Sequence, residues 1–131
     1  MTTSRMKVYS TLGPRIEYGK MVETDGLVEY LSGRTTLHES VIRHVVLELR
    51  EALRFFNVEG RSVRIEGLGI FKPTIDLAGV ISLNYRPDRS LSDDLNLRFR
   101  GAVANRQNIG KTADELVQLW NEEHPDDQVA D

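Results

Sequence analysis

The 131-residue chain is 40% apolar and 28% charged, with 17 Lys and Arg against 20 Asp and Glu and no Cys. This is the composition of one ordinary globular domain, and it excludes a disulfide framework, a thiolate metal site and a cysteine nucleophile. No apolar run approaches the roughly 18 residues of a membrane span, and the start lacks the apolar stretch of a secretory signal, so a cytoplasmic home and one core, open to sharing between subunits, are expected.

Residues 6–12 (Met6 to Leu12) alternate in a strand-like way and stop at the turn signal Gly13-Pro14, after which Ile16 and Tyr18 continue as a second short extended piece. Thr24 is placed to cap a short helix that carries Leu27, Val28 and Leu31 inward and ends near Gly33. Thr36 and Glu39 have the spacing of a capping box, which predicts that a second helix follows at once. From Leu37 to Asn57 apolar residues recur at three- and four-residue spacing, and Ile42, Leu47, Ala52 and Phe55 widen the stripe. A helix apolar over so much of its circumference needs more cover than one small sheet gives, so a partner subunit is expected.

After Gly60 the pattern changes to period two, with Val63 and Ile65 on one face and Arg64 and Glu66 on the other. Gly67-Leu68-Gly69 reads as a tight bend, and strands Phe71–Leu77 and Val80–Arg86 complete a three-stranded meander. Pro87-Asp88 closes it and starts a short helix through Leu91 and Leu95. Residues 101–111 are polar and Gly/Asn-rich and read as a linker. A last helix begins at Thr112, has a second capping box completed by Glu115, and buries Leu116, Leu119 and Trp120.

Charge is uneven along the chain. Residues 1–100 hold 15 basic and 13 acidic side chains, whereas residues 101–131 hold two basic (Arg106 and Lys111) and seven acidic. Thirteen of the basic residues are Arg, the side chain suited to bidentate phosphate or carboxylate contacts; surface ion pairing is the competing explanation.

Two segments carry a family resemblance: Arg61-Ser-Val-Arg-Ile-Glu-Gly-Leu-Gly-Ile-Phe71 and Tyr85-Arg-Pro-Asp-Arg-Ser-Leu91. The first resembles the Gly-Phe-Gly-x-Phe signature of the bacterial histone-like HU/IHF proteins and the second their Phe-Lys-x-Gly-Lys-x-Leu segment, over about residues 24–99. The extended leader is similar to that of the divergent HU-like branch common in Bacteroidetes. The resemblance implies an α+β, HU/IHF-like fold: a helical pair plus a three-stranded antiparallel β-meander in an intertwined homodimer, here with an extra N-terminal strand and C-terminal helix. The chain then divides into a leader (1–22), an HU-like domain (23–100) and a linker with an acidic helix (101–131). A dimer core of Val41, Val45, Leu49, Leu53, Phe56 and Phe71 is expected, and DNA contacts from Arg61, Arg64, Lys72, Arg86, Arg89, Arg98 and Arg100. Arg86 and Arg89 hold the matched positions of the family's basic residues.

The family's long β-arm is missing. Only Pro73 to Gly79 separates the second and third strands, and Pro73 at the strand base blunts an edge rather than forming a wedge. Weak or absent arm-mediated bending follows. No nucleotide-binding glycine loop, Ser-His-Asp order or metal-ligand cluster is present, and His38 and His44 are too far apart to share a helix face as ligands. The chain is therefore expected to be a nucleoid-associated, non-enzymatic protein without cofactor or metal, which binds duplex DNA with little sequence preference. The alternative is a dimeric assembly module that has lost DNA affinity. Its acidic tail would be a packed helix, an autoinhibitory segment or a docking helix.

Overall fold

The computed structural model describes residues 3–129. In chain order the elements are α1 (Arg5–Leu12), β1 (Arg15–Glu17), α2 (Thr24–Arg34), α3 (Glu39–Val58), β2 (Val63–Ile65), β3 (Gly69–Ile75), β4 (Ile81–Pro87), α4 (Arg89–Arg98), β5 (Ala102–Ala104) and α5 (Ala113–Glu123), with a 3₁₀ turn at Arg106–Asn108 before α5. They form two compact units. One spans Met21–Phe99; the other joins the residues up to Lys20 with those from Arg100 onward.

In the second of these, the expected strand at Met6–Leu12 is a helix. Ser4 caps it, its hydroxyl accepting from the Lys7 amide at 3.2 Å. The alternation of apolar residues was coincidental with helical spacing: Val8 and Leu12, one turn apart, pack with Leu116 and Trp120 of α5 into a small core. The Gly/Asn-rich stretch read as a linker is also structured. Its residues Ala102–Ala104 pair antiparallel with Arg15–Glu17, with Ile16 opposite Val103. Asn105, in the left-handed region at φ 57°, donates from Nδ2 to the carbonyls of Thr11 (2.7 Å) and Gly13 (3.0 Å), and Asn108 donates to Leu12 at 2.7 Å. Two asparagines from the tail thus satisfy backbone acceptors at the end of α1 that the helix itself leaves open. Thr112 caps α5 by accepting from the Glu115 amide, as its spacing indicated, and the indole of Trp120, 4% exposed, donates to the Asp127 carbonyl at 2.8 Å.

Within Met21–Phe99, α2 and α3 pack as a pair, and α3 lies against β2 and β3 of a meander ordered β2-β3-β4. Two start signals differ from expectation. Thr24 is the first residue of α2 rather than its cap, and the Thr36/Glu39 box does not form. Instead His38 caps α3, its Nδ1 accepting from the Ser40 amide at 3.2 Å. The nearer acceptor prevails because a cap must sit one residue before the first helical turn. Val28 and Ile42 are the buried apolar side chains of this unit, while Val41, Val45 and Leu49 on α3 are 46%, 56% and 41% exposed.

Asn105→Ala should lower the stability of the leader–tail unit by about 1 kcal/mol, since it removes two hydrogen bonds, one of them part-buried, and puts Ala at a positive φ. Trp120 is the single Trp of the chain and lies in this unit, so its fluorescence during urea unfolding reads the effect directly. An unchanged midpoint would show that the asparagine bridge carries no stability.

Candidate nucleic-acid interface

Register across the meander decides which side chains share a face. Arg64 lies opposite Ile70, and Ile70 opposite Arg86, so one row across three strands reads Arg-Ile-Arg. The next rows on the same face are Lys72 with Asn84 and Thr74 with Ser82. The opposite face carries Val63, Phe71 and Tyr85 in one row, then Pro73 with Leu83 and Ile75 with Ile81. Phe71 and Tyr85 rings lie 4.9 Å apart. The sheet therefore has an apolar side and a side of cations and hydrogen-bonding groups. Arg64, Lys72 and Arg86 enter no ion pair among the described residues.

Gly69 sets this arrangement. Its φ is +142°, and a Cβ on it would lie 2.3 Å from the Arg86 carbonyl oxygen and 3.0 Å from the Asp88 nitrogen. Two backbones meet there with no room for a side chain. The Leu68 carbonyl anchors the same corner, accepting from the Tyr85 hydroxyl at 2.7 Å and the Asp88 amide at 3.0 Å. The approach brings the start of α4 beside β2, and Arg64, Arg86 and Arg89 converge on a groove of about 360 Å³ that Glu66 and Asp88 also line. The Asp88 carboxylate is committed to capping α4, accepting from the Ser90 amide at 3.1 Å and from the Ser90 hydroxyl.

The remaining expected contacts are distributed differently. Arg61 precedes β2 and lies over the Phe56 ring at 5.1 Å. Arg89 reaches Asp93 at 3.7 Å and Arg98 reaches Asp94 at 4.0 Å, both exposed pairs of low energetic weight. Arg100 belongs to the other unit. Of the expected dimer-core residues, Val41, Val45 and Leu49 are exposed in the single chain and Leu53, Phe56 and Phe71 half-buried. Sequence reasoning passed over Thr74, Ser82 and Asn84, although the same alternation that placed Arg64 opposite to Val63 and Ile65 places them beside Lys72.

Charge also redistributes on folding. The cations of the leader join the acidic tail in one unit, where Arg5 binds Asp114 at 2.7 Å. Residues 21–99 then hold ten basic and twelve acidic side chains, so the mildly basic body seen along the chain is not a property of this unit. Any attraction for a polyanion rests on the local sheet face rather than on net charge.

Two packed helices against a three-stranded meander with an arginine-bearing outer face define the α+β architecture of the histone-like proteins. Residues 6–112 match the family model described as HU-HIG, an HU domain fused to wHTH, Ig or Glycine-rich motif, and the chain belongs to this family. The match takes in α1, β1 and β5 as well as the meander. No curated protein and no solved structure matches.

Gly69→Ala should cost at least about 3 kcal/mol, because both the conformation and the backbone contact forbid a Cβ. Gly67→Ala meets nothing within 4 Å at φ +80°, and its cost should stay near about 1 kcal/mol. Denaturant midpoints of the two variants check the difference; equal losses would mean that the close approach at Gly69 does not hold the corner.

Proposed function

We propose that this chain is a non-catalytic, nucleoid-associated protein of the cytoplasm that binds duplex DNA as a homodimer, with little sequence preference. The observation that carries this is the Arg64-Ile70-Arg86 row with Lys72 beside it: unpaired cations on one face of a sheet whose other face is apolar. Guanidinium groups on a rigid sheet suit phosphate oxygens bidentately, and Thr74, Ser82 and Asn84 add neutral donors for backbone or groove contacts. Arg89 joins the row through the groove at the start of α4. Arg61, Arg98 and Arg100 are peripheral contacts in this scheme. Two copies double the cationic set, and each phosphate neutralised adds to a salt-dependent, sequence-independent affinity.

Dimerisation follows from the apolar balance of Met21–Phe99. Burying only Val28 and Ile42 leaves the exposed stripe Val41, Val45 and Leu49 on α3 and the apolar sheet residues Ile75, Ile81 and Leu83 in water. A second copy that packs against Val41, Val45, Leu49, Leu53, Phe56 and Phe71 would supply the missing core.

The second reading is an assembly module without DNA affinity. It is favoured by the net acidity of residues 21–99 and by a hairpin whose strands end at Ile75 and Ile81. A gel shift with random duplex at low salt separates the two. Binding by the full chain, weakened about tenfold or more in Arg64→Ala/Arg86→Ala and with a salt slope flattened by about two for each such pair lost, is the expected outcome. Arg34→Ala, a cation on α2 stacked on Tyr30, should leave the shift unchanged. A chain that shifts no duplex at any salt is the assembly module. Separately, Val45→Glu should convert a dimer mass in light scattering to a monomer mass; an unaltered mass would place the pairing face elsewhere.

A further inference from the structure

The groove between the β2–β3 bend and the start of α4 gathers more positive charge than one backbone phosphate of DNA can use. Arg64 and Arg86 flank Ile70 in a single row, on strands about 10 Å apart. Arg89, the first residue of α4, brings a third guanidinium to the same cavity of about 360 Å³. Its contact with Asp93 is long, at 3.7 Å, and its side chain is 93% exposed, so little holds it back from a stronger acceptor. Arg64 and Arg86 have no carboxylate partner among the described residues.

The surroundings leave room for a ligand. Gly67 and Gly69 line the cavity without side chains, and the space where a Cβ of Gly67 would stand is empty to 4 Å. The Asp88 carboxylate already caps α4 through the Ser90 amide and hydroxyl, so the guanidiniums and not the helix end make the site. Glu66 and Asp88 also line it. An entering anion must outweigh their repulsion, which favours one that engages all three guanidiniums at once. The cavity lies at the end of the sheet, where β3 begins at Gly69 opposite Pro87. Its row is on the face opposite Phe71 and Tyr85, so the proposed pairing of two copies does not cover it.

We infer that this groove is a site for a terminal phosphate, a phosphomonoester, rather than for a phosphate within a DNA strand. A phosphodiester offers a single charge and two free oxygens. A phosphomonoester carries a charge of about −1.5 to −2 at pH 7 and offers three acceptor oxygens, one for each guanidinium. A strand end also needs entry from one side only, as the end of the sheet provides, whereas a continuous backbone must enter and leave. The same group is borne by the 5′ end of a duplex strand and by free nucleotides. Where the source is DNA, the inference deepens the duplex-binding reading of this face and rests on it; the chemistry of the groove does not.

Two titrations of the full chain at low salt test this. In the first, fluorescence anisotropy compares duplexes of one sequence that carry 5′-phosphate or 5′-hydroxyl ends. The phosphorylated duplex should bind at least about fivefold more tightly. Arg89→Ala should bring that ratio close to one, whereas Lys72→Ala, outside the groove, should weaken both duplexes and keep the ratio. In the second, calorimetry without DNA compares thymidine 5′-phosphate with thymidine. The nucleotide should bind and the nucleoside should not, and Arg64→Ala/Arg86→Ala should abolish the binding; thermal melts check that the variants fold. An end preference that Arg89→Ala removes, with no binding of the free nucleotide, supports the site with strand ends as its source. Nucleotide binding without an end preference supports it with free phosphomonoesters as the source, and in a chain that shifts no duplex it sinks the DNA reading alone. Equal affinity for the two duplexes together with no nucleotide binding overturns the proposal and leaves the DNA reading standing. An end preference that survives Arg89→Ala, or nucleotide binding that survives Arg64→Ala/Arg86→Ala, overturns it as well.

Discussion

The backbone approach at Gly69 is the constraint on which the arrangement of the meander depends. At that point β3 begins, β4 ends opposite it at Pro87, and the chain turns into α4 at Asp88. The absence of a side chain lets the Arg86 carbonyl come where a Cβ would otherwise stand. Register then propagates outward in steps of two, and a slip by one residue would send Arg64, Lys72 and Arg86 to the side now held by Phe71 and Tyr85. The glycine acts by permission, whereas Tyr85 acts by attachment: its ring packs on Phe71 and its hydroxyl holds the Leu68 carbonyl. One residue thus fastens the apolar face to the bend that aims the cationic one.

The period-two stretches were the most legible part of the chain. Val63/Ile65 against Arg64/Glu66 fixed two faces before any register was known, and the Gly67-Leu68-Gly69 bend supplied the family resemblance that the match over residues 6–112 bears out. The leader was not legible. Seven residues that alternate apolar and polar also place Val8 and Leu12 one helical turn apart, and what decides between the two is Leu116 and Trp120, more than a hundred residues away. Nor could Gly/Asn-rich residues 101–111 announce their role. Asparagine favours turns locally, but here Asn105 and Asn108 serve acceptors of α1. Long-range partners of this kind leave no periodic trace.

Charge shows the same limit from another side. Counting along the chain separated a basic body from an acidic tail, yet folding sorts the residues into different groups and gives the leader's cations to the tail. Net charge controls long-range steering, whereas contact depends on which few side chains lie unpaired on a rigid surface. Arg50 and Arg54 are held by Glu51, and hydrogen bonding from Arg54 keeps the Glu51 carboxyl below its ordinary pKa. Arg64, Lys72 and Arg86 have no such partner among the described residues. Among thirteen arginines, a shared row on one sheet face, together with the lack of a carboxylate partner, marks out Arg64 and Arg86.

The apolar residues must be weighed in the same way. A segment of 79 residues, Met21–Phe99, that buries Val28 and Ile42 has far less enclosed hydrocarbon than its ordering entropy requires. Its helices and strands are nevertheless well formed: α3 runs 20 residues and the β3–β4 ladder seven pairs. Regular elements with so little enclosed hydrocarbon are what the proposed pairing asks of each half. The leader–tail unit, by contrast, closes its small core from its own two ends through Val8, Leu116 and Trp120. The two units therefore differ: one closes its core by joining distant parts of the chain, whereas the other leaves Val41, Val45 and Leu49 on α3 exposed, the stripe that the proposed pairing would cover.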